Sequence, residues 1–463
     1  MLTRRRLARG AAAVWLAACC VSDALFAPAA PLWGGRTRRR AATLDLQQGT
    51  AVATPDAKKT KLKVAVMLLN LGGPEFSEDV EPFLYNLFAD PDIIRLPPAV
   101  SGLQTGLAWL IAKRRAPKSR EAYDAIGGGS PIKKYTTSQA SLLEAALNSP
   151  GNKDLEYKCY VAMRYWHPFT DEALDRAAMD GCDCAVILPL YPHFSISTTG
   201  SSLRALLTEM QASHPRLMNW HTVVPSWHES PGYIKLVARL VAAELAALPP
   251  GSPGEPPPTV LFSAHGVPRS YIEQAGDPYK RHIEQTVALV TQRTREIQKD
   301  GADFKLAFQS RVGPVEWLKP YTDEMLLDIA ASGVKRLVVV PISFVSEHIE
   351  TLEEIDMEYR ELAEGAGIEH WRRAPALNLD PEFIAELAGQ VRAAVALPVV
   401  STSEACVVNS FDLDEKPLGI LPMIEDDVSQ INGKTAAVGV AFGIFVELLT
   451  DNKLLHLFGL PAM

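Results

Sequence analysis

The chain has 463 residues, 47% of them hydrophobic and 22% charged, which is enough to bury a large core and to form more than one domain. Its formal net charge is -8 and no basic stripe runs through its body, which argues against nucleic-acid binding and for a small-molecule partner. Cys19, Cys20, Cys159, Cys182, Cys184 and Cys406 form no CxxC pair and no regular framework, which excludes a disulfide scaffold and a thiolate zinc site.

Residues 1–60 read as an address label. MLTRRRLARG is a positive opening, AAAVWLAACC an apolar core too short to span a bilayer, and SDALFAPAA a small-residue exit. PLWGGRTRRRAAT follows, rich in arginine and without an acid until Asp45. A signal peptide followed by a basic segment starting near Phe26 resembles the two-part presequence of algae whose plastids have extra membranes. Secretion is the competing reading, and the missing cysteine framework counts against it.

Three landmarks then occur twice in the same order. VMLLNLGGP (66–74) matches VLFSAHGVP (260–268), VAMRYWHP (161–168) matches AFQSRVGP (307–314), and VILPLYPHFS (186–195) matches VVVPISFVSEH (338–348). Each is an apolar run ending in Gly, Pro or polar residues, and amphipathic stretches such as RHIEQTVALVTQRTREI lie between them. Near-continuous Val/Ile/Leu strands alternating with helices predict parallel sheets covered on both faces. The expected fold is α/β with two similar Rossmann-like, doubly wound halves, 61–225 and 226–395. Ligands of such sheets bind beyond the carboxyl ends of the strands, so a central cleft is the place to look.

Reactive side chains fall at that rim. His265 follows the strand TVLFSA, and His348 with Glu350 follows VVVPISFV. Glu350, Glu354 and Glu358 stand at i, i+4 and i+8 on one expected helix face, with Glu347 a turn earlier. Like charges at that spacing disfavour an isolated helix by roughly 0.2–0.5 kcal/mol per pair, so the stripe reads either as a conduit for cations or protons or as a solvated face. Cys182 and Cys184, two apart at the start of a strand, read as packing.

The motifs LLNLGGPEFSEDVEPFLYNLFADPDIIRLP, IGGGSPI, MRYWHP, YPHFSISTTGSS, FSAHGVP, FQSRVGPVEWLKPYTDE and SFVSEHIETLEEID together resemble the ferrochelatases over residues 62–395. The resemblance implies insertion of Fe2+ into protoporphyrin IX to form protohaem, with both as substrates and no cofactor required. It also implies that His265, Glu350 and His348 carry the chemistry, that His265 and Glu350 meet the metal, and that Glu347, Glu354 and Glu358 form the conduit. Which of these residues is base and which is ligand stays open. Metal insertion needs a proton acceptor titrating near neutrality and a few hard or borderline ligands, which histidine and carboxylates supply. By the same resemblance Arg115, Lys118, Tyr123, Ser310 and Trp317 contact the porphyrin, and Leu71, Arg164 and Tyr165 line its pocket. Arg114 and Arg120 are expected in solvent. A chelatase for another metal or tetrapyrrole and a non-catalytic porphyrin or haem carrier are the competing functions.

IGGGSPIKKY has no GK[ST] and opens no GxGxxG helix, so it implies no nucleotide. Some relatives carry a [2Fe–2S] cluster, but Ile196 stands at one ligand position and Cys406 is alone in the tail, so none is expected. After a linker at 396–424, the tail 425–463 resembles the chlorophyll a/b-binding-like helix of plastid and cyanobacterial enzymes. Ile431 to Leu449 is apolar enough to predict a membrane helix, and Gly439 and Gly443 form a GxxxG face for self-association. Asn432 and Gly433 keep part of the pigment motif. Ser429 and Lys434 replace its ion pair, so chlorophyll is not counted as a cofactor. The expected location is the plastid, at the thylakoid or envelope membrane.

Overall fold

A computed structural model describes residues 61–396 apart from 95, 97, 150–154, 299–300 and 310–314. The presequence, the linker beyond 396, the expected tail helix and Ser310 lie outside the described residues.

The first half runs β1 (Leu62–Asn70), α1 (Val80–Ala89), α2 (Gln104–Ala125), α3 (Ile132–Leu147), β2 (Leu155–Met163), α4 (Thr170–Met179), β3 (Cys184–Pro189), α5 (Ser201–Ser213) and β4 (His221–Val223). After α6 (Pro231–Ala246) the pattern recurs as β5 (Thr259–His265), α7 (Tyr279–Ile297), β6 (Asp303–Gln309), α8 (Thr322–Ala331), β7 (Arg336–Pro341), α9 (Arg360–Ala366), β8 (His370–Arg373) and α10 (Pro381–Ala396). The strands form two parallel sheets with the same order, β2-β1-β3-β4 and β6-β5-β7-β8. This is the two-fold α/β repeat expected from the landmarks.

The apolar runs are continuous because each strand is covered on both faces. Alternate side chains of β1 show the division of labour: Val64, Val66 and Leu68 enter a core shared with Val260, Phe262, Val338 and Val340 of the second sheet. Ala65, Met67 and Leu69 pack outward under α4 and α5. The equivalent outer layer of the second sheet packs Leu261 and Val339 against Leu326 and Ile329 of α8 and Ala363 of α9.

Two sequence expectations need correction. Residues 381–395 were expected to belong to the second half, but α10 packs on α3, β3 and β4 of the first, while α6 packs on β7 and α7 of the second. Each sheet is therefore covered by the helix that follows the other sheet's last strand or precedes its own first, and Phe383, Leu387 and Val391 complete the shared core. The proline landmarks also shift. Met163 N–H donates to Pro168 O and Phe308 N–H to Pro320 O, both at 2.8 Å, so Pro320 rather than Pro314 is the counterpart of Pro168. A longer loop after β6 hid this equivalence in the sequence.

Candidate active site

His265 ends β5, directly beside Gln309 at the end of β6. Its backbone is fixed from two sides: its N–H donates to Ser343 Oγ at 3.0 Å, and Tyr279 OH donates to its carbonyl at 2.9 Å. The following Gly266 has no room for a side chain, since a Cβ there would lie 2.6 Å from the Gln309 carbonyl and 3.2 Å from Trp317.

The imidazole Nδ1 lies 2.8 Å from Glu350 Oε2. Gln309 Nε2 donates to the same oxygen at 3.1 Å, and Ser263 Oγ donates to Gln309 Oε1 at 2.6 Å, so a chain of hydrogen bonds orients the carboxylate. Burial pushes the Glu350 carboxyl up, but the charge and hydrogen bond of His265, the charge of His348 and the Gln309 bond hold it well below the ordinary range. Burial pulls His265 down, and the Glu350 charge and hydrogen bond outweigh it, so its pKa stands above the usual imidazole value. An ionised carboxylate only accepts, so the Nδ1 proton belongs to His265 and the Nε2 lone pair of the neutral ring is free for a further proton. The His265 side chain retains 36% exposure and that of Glu350 22%, so both are reachable.

His348 differs. It is 7% exposed, its Nε2 stands 3.9 Å from Glu350 Oε1, and neither ring nitrogen has a hydrogen-bond partner. Burial lowers its pKa, against the upward effects of the Glu350 and Glu347 charges. Phe344 lies between the two histidines, its ring centroid 4.2 Å from His348 and 6.2 Å from His265.

Glu350 opens a π-helix, Glu350–Tyr359, rather than the α-helix expected there. Wider i→i+5 turns of this kind concentrate at functional sites. Along it the acids run outward: Glu350 and Glu354 are part-buried, and Glu358 is exposed. Tyr359 OH donates to Glu354 at 2.9 Å. Glu347 does not belong to this stripe. It is buried and bound by Arg373 Nη1 at 2.9 and 3.1 Å, by Ala376 N–H at 3.0 Å and by the Thr351 hydroxyl, so it forms a structural ion pair and not part of a conduit. Arg373 is held in turn by Asp356 at 2.7 Å.

The expected porphyrin residues fall into two groups. Leu71, Tyr123 and Tyr165 join one apolar cluster with Phe83, Phe88 and Ile349, the neighbour of Glu350. Burial, with the charge of Glu350 second, raises the Tyr123 hydroxyl far above its usual value, which puts α2 within electrostatic reach of the carboxylate. Tyr165 is fully buried with its hydroxyl donated to Asp90 at 2.8 Å, so it backs the wall and does not line it. Arg115 and Lys118 are exposed on α2, with Arg115 over the Phe88 ring at 5.5 Å. Lys118 lies close enough to Glu353 to lower its pKa, against the larger upward effects of burial and Glu358. Trp317 is half-buried and bridged to Pro268. Arg120, expected in solvent, keeps 35% of its side-chain surface exposed and also donates to Ser77 O at 3.2 Å and to Glu81 at 3.4 Å.

Gln309, Ser263, Phe344 and Tyr279 were not singled out from the sequence. Gln309 lay inside the quoted motif FQSRVGP, and only the β5–β6 register puts it beside His265. Cys182 and Cys184 pack as expected: burial raises both thiols, and Cys182 lies 3.4 Å from Tyr160 OH. Among the described residues, no group of three or more His, Cys, Asp or Glu side chains is arranged to hold a metal ion.

A family model described as Ferrochelatase matches residues 63–395. Ferrochelatase-2, chloroplastic, of Oryza sativa subsp. indica is 46% identical over 437 residues, covering 89% of this chain and 81% of the relative. The Arabidopsis thaliana protein of the same name is 46% identical over 445 residues, 90% and 83% of the two chains. Ferrochelatase of a Cyanothece strain is 49% identical over 404 residues, 86% and 99% of the two.

Proposed function

Because the chain belongs to the ferrochelatase family and inserts Fe2+ into protoporphyrin IX to form protohaem, we propose that its chemistry is divided among three side chains at the end of the second sheet. His265 accepts the pyrrole protons one at a time at Nε2, releasing the first by way of Glu354 and Glu358 to solvent before it takes the second; Glu350 stabilises each imidazolium, and Glu350 Oε1 with His348 would meet the incoming metal. The observation that carries this reading is the 2.8 Å His265–Glu350 pair with a buried His348 whose Nε2 stands 3.9 Å from the other Glu350 oxygen.

Balance requires that each Fe2+ entering the ring displaces two N–H protons. A neutral imidazole paired with an ionised carboxylate takes up a proton without creating an isolated buried charge. Imidazole and carboxylate both suit iron as a borderline cation, and the macrocycle supplies the final nitrogens. Glu354 and Glu358 provide the path between this pair and solvent, with acidity maintained as exposure rises. Arg115 and Lys118 on α2 meet the propionates, and Leu71, Arg164 and Trp317 line the pocket.

The plastid is the compartment, in line with the chloroplastic relatives. Membrane association is supported by an apolar tip between 100 and 110, where Val100 (38%), Leu103 (65%), Trp109 (55%) and Leu110 (39%) are exposed and Lys113 sits over the Trp109 ring at 5.6 Å. A tryptophan and aliphatic patch flanked by a cation suits the headgroup boundary of a bilayer. The expected span at Ile431 to Leu449 would anchor the chain independently.

The direct test is anaerobic Fe2+ insertion into protoporphyrin IX by residues 61–463, with His265→Ala and Glu350→Gln in parallel. Turnover falling by about 10²-fold or more in both variants is expected. Porphyrin binding without turnover in the parent would instead identify a carrier.

A further inference from the structure

His265 stands just past the place where β5 and β7 part. Their pairing ends at Ser263 with Pro341, after which Ile342 N–H still donates to Ser263 O at 3.1 Å. The His265 N–H and C=O that would continue this ladder are taken by side chains instead: the N–H donates to Ser343 Oγ at 3.0 Å, and Tyr279 OH donates to the carbonyl at 2.9 Å. Ser343 Oγ and the Tyr279 oxygen lie 2.7 Å apart. Since the phenol proton goes to the carbonyl, the Ser343 proton goes to the phenol oxygen, and three hydrogen bonds close a ring through the backbone of His265. Burial raises the Tyr279 hydroxyl far above its usual value, so it keeps the proton it donates.

The ring is anchored across the two halves by Asp277, which is 3% exposed. Its Oδ1 accepts the Tyr279 N–H at 2.9 Å, while its Oδ2 accepts the Ser195 hydroxyl at 2.8 Å and the Ile196 N–H at 2.9 Å from the turn after β3. All three donors are neutral, and burial pushes the carboxyl up to about 6 against their hydrogen bonds. His282, one turn along α7, adds a further link by accepting the Phe194 N–H on Nδ1 at 3.3 Å.

The first half lacks this ring. Leu69 and Ser263 occupy equivalent register positions, pairing with Ala162 and Pro189 in one sheet and with Ala307 and Pro341 in the other. Two residues on, Leu71 is the counterpart of His265, and its N–H goes to the neighbouring Asn70 Oδ1 at 2.9 Å while its carbonyl accepts the Tyr165 N–H. The ring belongs to the half that carries the reacting histidine.

We infer that Tyr279 and Asp277 are positioning residues for His265: Asp277 fixes the start of α7 against the first half, and Tyr279 with Ser343 clamps the backbone from which the imidazole projects. A misplacement of about 1 Å at a reacting group costs up to about 10²-fold in rate, so the clamp acts on turnover and not on porphyrin affinity. The inference rests on the reading of His265 as the proton acceptor.

The test measures kcat and KM for protoporphyrin in the full chain for Tyr279→Phe, Ser343→Ala and the double variant, with porphyrin binding followed by fluorescence quenching. Tyr279→Phe removes a single oxygen atom; kcat is expected to fall about tenfold, with KM and porphyrin binding held within about twofold. The double variant is expected to be no worse than the poorer single one, because either cut opens the ring. Additive losses, or a raised KM with kcat kept, overturn the positioning role. Full turnover in His265→Ala overturns the proton-acceptor reading and this inference with it, whereas a collapse there with a normal kcat in Tyr279→Phe overturns only the inference. Asp277→Asn is expected to lower kcat in the same way. Should it fail to fold, Ser195→Ala removes one of the three donors to Asp277; a lowered kcat at constant KM is expected, and an unchanged kcat overturns the part given to Asp277.

Discussion

His265 and Glu350 each alter the other's proton affinity, and this coupling sets the pH behaviour of the site. His265 titrates above its ordinary value because the Glu350 charge and hydrogen bond overcome the effect of burial. Glu350→Gln removes both of these effects and leaves burial opposed by the smaller contribution of the Glu354 charge, so the His265 pKa should fall, as NMR titration of its ring protons would register; an unchanged pKa would contradict the assignment of cause. The sign for stability follows. A histidine whose folded pKa is raised contributes stability that is complete below the unfolded value and is lost as pH rises through the folded one, so Glu350→Gln should cost more stability in mild acid than in mild base. Glu347 and Arg373 form a different kind of pair, with side chains only 8% and 10% exposed. Arg373→Met strands a buried carboxylate, and urea unfolding should show a loss of about 3–5 kcal/mol. In the sequence Glu347 read as part of the acidic stripe, and only its partner on β8 separates it from Glu350 and Glu354.

At the scale of elements, the site depends on how closely β5 and β6 approach. Gly266 permits the approach, because any side chain there meets the Gln309 carbonyl. Gly266→Ala should therefore push the strand ends apart, with a loss of about 1–3 kcal/mol in thermal or urea unfolding and a larger proportional loss of iron insertion. The π-helix carries the second prediction. Glu354→Gln and Glu358→Gln should raise KM for Fe2+ while leaving KM for protoporphyrin in place, measured in the same anaerobic assay; equal effects on both substrates would return the stripe to a solvated face. Its existence as a helix was legible from the spacing of Glu350, Glu354 and Glu358, but its wider turn was not. Hydrogen-bond pitch is set by what the helix packs against, and local propensity does not encode that.

The whole molecule is tied together by helices that cross between the halves. Deleting α10 would uncover Phe383, Leu387 and Val391 from the core that both sheets share, so a chain ending at 380 should lose cooperative unfolding altogether. A chain of 61–396 keeps every described element and should retain iron insertion while losing most of its sedimentation with vesicles; Leu103→Glu with Trp109→Glu should remove the remainder. The sequence by itself determined the repeat, the parallel sheets and the position of His265 at a strand end, because buried strands need continuous apolar runs and the chain must turn sharply where they stop. Tertiary structure alone decided that α10 covers the other half, that Glu347 is neutralised by Arg373, that Tyr165 faces Asp90 and that Gln309 steadies Glu350. These outcomes depend on contacts between residues far apart in the chain, and the burial and partners that govern a charge exist only once those segments have packed.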